Sequence, residues 1–226
     1  MNNYSILIPV HNEANNIPPL LKALKVYSDM GHEIIIIDDG SNDDSRNILK
    51  DCKTIKLIVL KSNKGKGYAI KRGLKEINNE KVLIFDGDME IDPKQISKLM
   101  LLDRDKKINA VFGYRYKSLN PVNSLSSWGN FMFTSFFNLT LGLNSKDALC
   151  CAKAFYFDDI KKYHMTSNGF DIDIELLTVL FCASKGKRVL QIFLDYKRRT
   201  FLEGKKLKVS DGWTVLWRFI KILRNF

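Results

Sequence analysis

Apolar residues along the first half of the chain fall into two alternating rhythms. Short runs at Tyr4–Val10, Glu33–Asp38, Ile55–Leu60, Lys81–Asp86 and Asn109–Tyr114 have the length and composition of buried strands. Between them the spacing turns helical. Ile17, Leu20, Leu21 and Leu24 mark one face of a helix over Glu13–Asp29. Further helices are predicted over Asp43–Cys52, with Ser41 or Asn42 as N-cap, and over Gly67–Ile77. Another runs from Asp92-Pro93, where proline suits a first turn, to about Asp103. Such alternation predicts an α/β fold, a mostly parallel sheet flanked by helices with right-handed crossovers. Ligands of these sheets bind outside the carboxyl ends of the strands.

The second half is less regular. Tyr116–Ser127 is polar and loop-like, and Trp128–Leu141 is aromatic-rich and predicted helical. A strand is expected at Ala154–Phe157, a helix at Asp173–Ala183 and a strand at Val189–Leu194. With no internal repeat or linker, residues 1–195 are expected to form one domain. The remainder, 196–226, is a basic tail ending in an amphipathic helix. Its apolar face carries Trp213, Leu216, Trp217, Phe219, Ile220, Ile222 and Leu223; Thr214, Arg218, Lys221 and Asn225 lie opposite. Tryptophan flanked by Arg and Lys suits a helix lying in a membrane interface, and equally a terminal helix packed on the core.

Charge sharpens this picture. The net charge is +11, and Tyr196–Phe226 holds nine Lys or Arg against Glu203 and Asp211. The expected partner is a polyanion, either an anionic membrane surface or a phosphorylated substrate. Nucleic acid is not expected, because the cations gather in an amphipathic tail with no nucleic-acid motif. The four cysteines, two of them the adjacent Cys150 and Cys151, have neither zinc spacing nor a disulfide framework and read as reduced thiols in a cytosolic protein. The N-terminus leads straight into a strand without the pattern of a signal peptide, and no apolar run has the length of a membrane span.

The candidate chemistry sits where strands end. Asp86-Gly87-Asp88 follows one apolar run, and Asp38-Asp39-Gly40-Ser41 closes another. Two carboxylates one residue apart, with glycine between them to let a ligand approach, suit a divalent cation whose remaining positions take phosphate oxygens. Glu90 is a candidate third ligand. Oxygen donors of this kind fit Mg²⁺ or Mn²⁺.

Seven segments in order carry a resemblance. They are Ile8-Pro9-Val10-His11-Asn12-Glu13, Ile36-Ile37-Asp38-Asp39-Gly40-Ser41, Asn63-Lys64-Gly65-Lys66-Gly67-Tyr68-Ala69, Phe85-Asp86-Gly87-Asp88, Phe112-Gly113-Tyr114-Arg115-Tyr116, the stretch Asp147 to Phe155, and the stretch Phe170 to Leu177. Together they resemble family 2 glycosyltransferases of the Rossmann-like GT-A fold, and among these the polyprenyl-phosphate glycosyltransferases of the dolichyl-phosphate mannose and glucose synthase kind. Four positions depart from the family pattern. Cys151-Ala152 replaces Gly-Phe, Trp128 stands where that group often has Arg, and His11 replaces Tyr.

The resemblance implies an inverting, metal-dependent hexosyltransferase. Its donor is a nucleotide-sugar of the GDP-mannose or UDP-glucose type, and its acceptor a polyprenyl phosphate at the cytoplasmic membrane face. Transfer to a sugar hydroxyl of a glycan or glycolipid is the alternative; a non-catalytic, membrane-associated scaffold of the same fold is a further one. Carried over by motif, Asp39 would bond the base, with Asp38 supporting ribose or loop and Pro9, Asn12 and Glu13 lining the pocket. Lys66 would touch phosphate or base. Asp86, Asp88 and Glu90 would hold the metal. A hydroxyl acceptor needs a general base, for which Asp147 and Asp173 are candidates; Asp88 is counted with them as catalytic through the metal it would hold. Arg115 matches the acceptor-phosphate arginine, and Lys117, Arg198, Arg199 and Lys206 are further acceptor-side cations.

Overall fold

The computed structural model describes residues 3–116, 125–142 and 144–199, together with 217. In chain order the strands are β1 (Tyr4–Val10), β2 (Glu33–Asp38), β3 (Lys56–Val59), β4 (Lys81–Ile84), β5 (Ile108–Tyr114), β6 (Lys153–Tyr156) and β7 (Arg188–Phe193). The helices are α1 (Ile17–Asp29), α2 (Ser45–Lys50), α3 (Lys66–Leu74), α4 (Leu125–Leu141), α5 (Phe157–Ile160) and α6 (Ile172–Ala183), with a 3-10 helix at Pro93–Leu99.

The strands form one sheet in the order β3-β2-β1-β4-β6-β5-β7. Strand β6 runs antiparallel to both β4 and β5; the other pairings are parallel. The continuous apolar runs have a physical reason. Along β1, Ile6 and Ile8 enter the core on one face while Leu7 enters the core on the other. A strand covered by helices on both sides needs apolar residues at every position.

Register places the chemistry. Val10 is level with Asp38, and Leu7 is level with Ile84. Both acidic clusters therefore flank the carboxyl end of β1, as the alternation predicts.

Several boundaries differ from the sequence reading. Helix α1 begins at Ile17 rather than Glu13, because Asn12 takes a left-handed φ of 49° and the Glu13 carbonyl accepts from both Asn16 and Ile17. Neither Ser41 nor Asn42 caps α2. The Ser41 hydroxyl accepts from Asn12 N at 2.9 Å, and Ser45 Oγ accepts from Glu13 N at 2.9 Å, so these side chains tie two turns together. The helix expected after Asp92 is the 3-10 turn, with Asp92 accepting from Lys94 N. Apart from Trp217, which is exposed, the tail helix expected at 211–226 lies outside the described residues. Among the described residues no helix is long and apolar enough to cross a membrane.

Candidate active site

Gly87 has a different task from the one its position suggests. A Cβ there would lie 2.5 Å from Val10 Cγ1 and 3.1 Å from Ile8 Cγ2, so glycine lets the Asp86–Asp88 turn press against β1. The next residue but one, Met89, holds φ at 61°. Asn12 and Met89, two of the three described non-glycine residues with positive φ, thus border one cleft. Left-handed backbone in such residues is costly and persists where the surrounding structure over-determines it.

The two acids of the D-x-D turn stand in contrasting environments. Asp86 is contacted through both oxygens by the Lys66 ammonium, at 2.9 and 3.1 Å. Burial opposes ionisation of Asp86, but Lys66 and the Cys151 thiol outweigh it and hold its pKa below the ordinary carboxylate value. Asp88 lacks so close a partner. Burial first, and then the Asp86 and Glu90 charges, push its pKa up to about 7, against the pull of Arg199. Asp88 Oδ1 accepts from Glu90 N at 3.0 Å.

Lys66 opens α3 and reaches Asp173 on α6 as well, at 2.9 Å. Burial alone would pull its pKa down; Asp173 and Asp86 together hold the ammonium well above the usual lysine value. Asp173 also lies 3.8 Å from the ammonium of Lys153, a side chain only 1% exposed. Lys153 donates to the Cys150 carbonyl. The sequence reading passed over Lys153, although a lone lysine inside Ala152-Lys153-Ala154-Phe155 signals a buried charge with a partner elsewhere.

At the far end of the same cleft, Arg115 forms a two-pronged pair with Asp147. Nε donates to Oδ2 at 2.8 Å and Nη2 to Oδ1 at 3.0 Å, and Asn130 adds a bond to Oδ1 at 3.1 Å. Burial opposes the charge on each partner, yet the pairing raises the Arg115 pKa and lowers that of Asp147. Tyr116 and Tyr196 stack near the guanidinium, with ring centroids at 5.6 and 5.2 Å. A cavity of about 20 Å³, room for one water, is lined by Phe85, Asp86, Glu90, Ile91, Arg115, Cys150, Cys151 and Tyr196. The D-x-D turn and Arg115 therefore face one small space.

Other expectations require correction. Of the two roles expected for Asp38, the structure shows support of the loop: the side chain is fully buried and accepts from Ser41 N at 3.0 Å and Arg46 Nε at 3.3 Å. Asp39 accepts from the backbone of Lys64 and Gly65, both at 2.8 Å, and thereby shapes the glycine-rich turn. Each of its oxygens keeps a lone pair for a base. Glu90 does not complete a three-carboxylate site. Its Oε1 accepts from Arg199 N at 3.0 Å, and Tyr196 also bonds its carboxyl. Among the described residues no three His, Cys, Asp or Glu side chains converge as a metal site. Asp86 and Asp88 fit a divalent cation as a pair of oxygen donors with further positions left to a ligand. Arg199, expected among the acceptor-side cations, contacts Glu13 and Asp88. Arg198 is exposed, Pro9 is half-buried in β1, and Lys117 and Lys206 lie outside the described residues. Asp147 is committed to Arg115 and Asn130, and Asp173 to two lysines, so neither stands ready as a general base.

Comparison with known proteins bears on the family and the fold. The pattern that defines the family "Glycosyl transferase family 2" matches residues 5–164. Glycosyltransferase AglJ of Haloferax volcanii is 28% identical over 86% of the chain. The undecaprenyl-phosphate 4-deoxy-4-formamido-L-arabinose transferase of Proteus mirabilis is 26% identical over 69% of the chain. The chain spans 63% of the first relative and 49% of the second. Glucosyl-3-phosphoglycerate synthase from Mycobacterium tuberculosis, solved with Mn²⁺, UDP-glucose and phosphoglyceric acid, superposes with a TM-score of 0.76. That match covers 98% of this chain and 80% of the other, and at 17% identity it is a likeness of fold.

Proposed function

Since the chain belongs to glycosyl transferase family 2, we propose that this glycosyltransferase moves a hexose from a nucleotide-sugar to a polyprenyl phosphate at the cytoplasmic membrane face, with inversion at the anomeric carbon. The observation that carries this reading is the pairing of Asp147 with Arg115 and of Asp173 with Lys66. With both candidate bases spent on cations, the cleft suits an acceptor that arrives already ionised. A phosphate monoester does so, and needs cations to hold it more than a base to deprotonate it. Arg115, fixed by Asp147 and open to the cavity shared with Asp86, offers two parallel donors for a phosphate.

On the donor side, Asp39 and the turn from Asn63 to Gly67 form the base end, with Asn12 and Glu13 beside them. Asp86 and Asp88 would hold Mg²⁺ or Mn²⁺, which when bound would supply Lewis-acid stabilisation of the departing nucleoside diphosphate. Lys66 adds a fixed ammonium at the same place.

Helix α4 supports the membrane setting. It carries no charged residue, and Met132, Phe136 and Leu139, at spacings of four and three, are 47%, 40% and 83% exposed. The basic segment 196–226 adds attraction to anionic lipid. A polyprenyl-phosphate acceptor requires such a setting, and the relative from Proteus mirabilis is named for undecaprenyl phosphate.

The second reading is transfer to a sugar hydroxyl, which needs a general base. Incubation with labelled UDP- and GDP-sugars tests both. Label in an acid-labile, organic-soluble phosphodiester with polyprenyl phosphate is the expected result. Label transferred only to hydroxyl acceptors refutes the lipid-phosphate reading, and no transfer to either class favours the non-catalytic scaffold.

A further inference from the structure

Arg199 spans the acidic cleft from the side opposite Lys66. Its Nη1 lies 2.9 Å from Glu13 Oε2, and its Nη2 lies 3.3 Å from Glu13 Oε1 and 3.5 Å from Asp88 Oδ2. The side chain is 13% exposed. The backbone that carries it is tied down residue by residue. Asp195 and Gln95 exchange two hydrogen bonds, Tyr196 bridges to Ile91, Lys197 N donates to the Glu90 carbonyl, and Arg199 N donates to the Glu90 carboxylate. The guanidinium is thus held in place, rather than resting at the end of a loose surface chain.

Together Lys66 and Arg199 put a protein cation on each acid of the D-x-D turn. A bare divalent ion approaching Asp88 meets a guanidinium already there, and like charges at such separations repel strongly in a partly desolvated cleft. A nucleoside diphosphate changes the balance, because its phosphate oxygens give both protein cations new anionic partners as the metal takes the carboxylates. Resting on the donor-site reading above, we propose that Arg199 is an internal counter-ion that keeps a free divalent cation off Asp88 and admits it together with a nucleoside diphosphate. The cleft then loads its metal as a metal–nucleotide unit.

Mn²⁺ binding to the full chain, followed by the electron paramagnetic resonance signal of the free ion, tests this without any turnover. Titrations are run with Mn²⁺ alone and with UDP or GDP present. In the wild type, one of the nucleotides should tighten Mn²⁺ binding about tenfold or more. Arg199→Gln should bind Mn²⁺ alone about fivefold more tightly than the wild type and lose most of the nucleotide effect. Arg199→Lys, which keeps the charge, should retain the wild-type pattern and guards against a folding defect in the glutamine variant. If nucleotide tightens Mn²⁺ equally in all three chains and Arg199→Gln gains nothing with Mn²⁺ alone, the counter-ion role is wrong while the donor site stands. If neither nucleotide affects Mn²⁺ in any chain, the donor-site reading falls and this proposal falls with it.

Discussion

Asp86 and Arg115 look into the same small cavity, yet the two ends of the cleft handle charge in opposite ways. At the Arg115 end, one cation and one anion are matched within a rigid pair, with Asn130 and two tyrosines around it. At the Asp86–Asp88 end, several acids share cations that come from distant parts of the chain, and Asp88 is the least well matched. A matched pair positions a group for a ligand without needing one. A poorly matched acid can take a further cation when a ligand brings one. The contrast suits a permanent acceptor clamp beside a donor site completed by its ligand.

The largest expected effect comes from removing the poorly matched charge. Asp88→Asn should lower turnover by about 10³-fold or more, the scale of losing a principal electrostatic group, and weaken binding of nucleoside diphosphate with Mn²⁺. The fold should survive, since the side chain is not part of the core. Near-wild-type rates in Asp88→Asn, or in excess chelator, would contradict the assignment of the two ends.

Breaking the matched pair should instead cost stability. Asp147→Ala leaves the Arg115 guanidinium buried without its anion, a loss of about 3–5 kcal/mol, measurable by chemical denaturation. Arg115→Ala should raise the acceptor KM about tenfold or more while leaving UDP or GDP binding little changed. The double variant Arg115→Met with Asp147→Leu sharpens the point. It should recover stability over Asp147→Ala without recovering use of the acceptor. A variant that recovers both shows that the pair is structural only.

The two ends were not equally legible in the sequence. The strands β2 and β4 and their acidic ends follow from apolar runs and turn residues, which are local signals. Asp39 and the glycine-rich turn are near neighbours in the fold for the same reason. The cations were harder to place. Arg199 reads as one more lysine-or-arginine in a basic run, and only the strap's bonds to Glu90 and Gln95 carry it across 186 residues to Glu13. Glu90 looks like a third metal ligand by spacing, and the same strap takes it. Charge partners separated by a whole domain leave no periodic trace.

A smaller effect follows from the pKa of Asp88, about 7 in the folded chain without metal, against about 4 for an ordinary aspartate. Between those values the folded state holds a proton that the unfolded state has lost. This group therefore lowers stability as pH rises from about 4 to 7, and the penalty is fully present above 7. Asp88→Asn cannot ionise and should be more stable than the wild type at pH 8, by about 4 kcal/mol at most for the full shift and less as solvent screens the site. At pH 4 the difference should vanish. Equal differences at both pH values would show that Asp88 is not the poorly matched acid.

The smallest effect expected is on membrane binding, where two surfaces contribute side by side. Helix α4 offers an uncharged face with Met132, Phe136 and Leu139 exposed. The tail offers charge, each basic residue near an anionic surface contributing roughly 1 kcal/mol. Salt screens the second and leaves the first. Co-sedimentation with vesicles separates them, using the full chain, a truncation ending at Leu207, and Met132→Ser with Leu139→Ser. The truncation should lose binding to anionic vesicles at low salt, and the serine variant should lose the residual binding at high salt. If the truncation binds as well as the full chain, residues 208–226 pack on the core and α4 carries the membrane contact. If neither change matters, the acceptor end does not face a bilayer, and Arg115 holds the phosphate of a water-soluble acceptor.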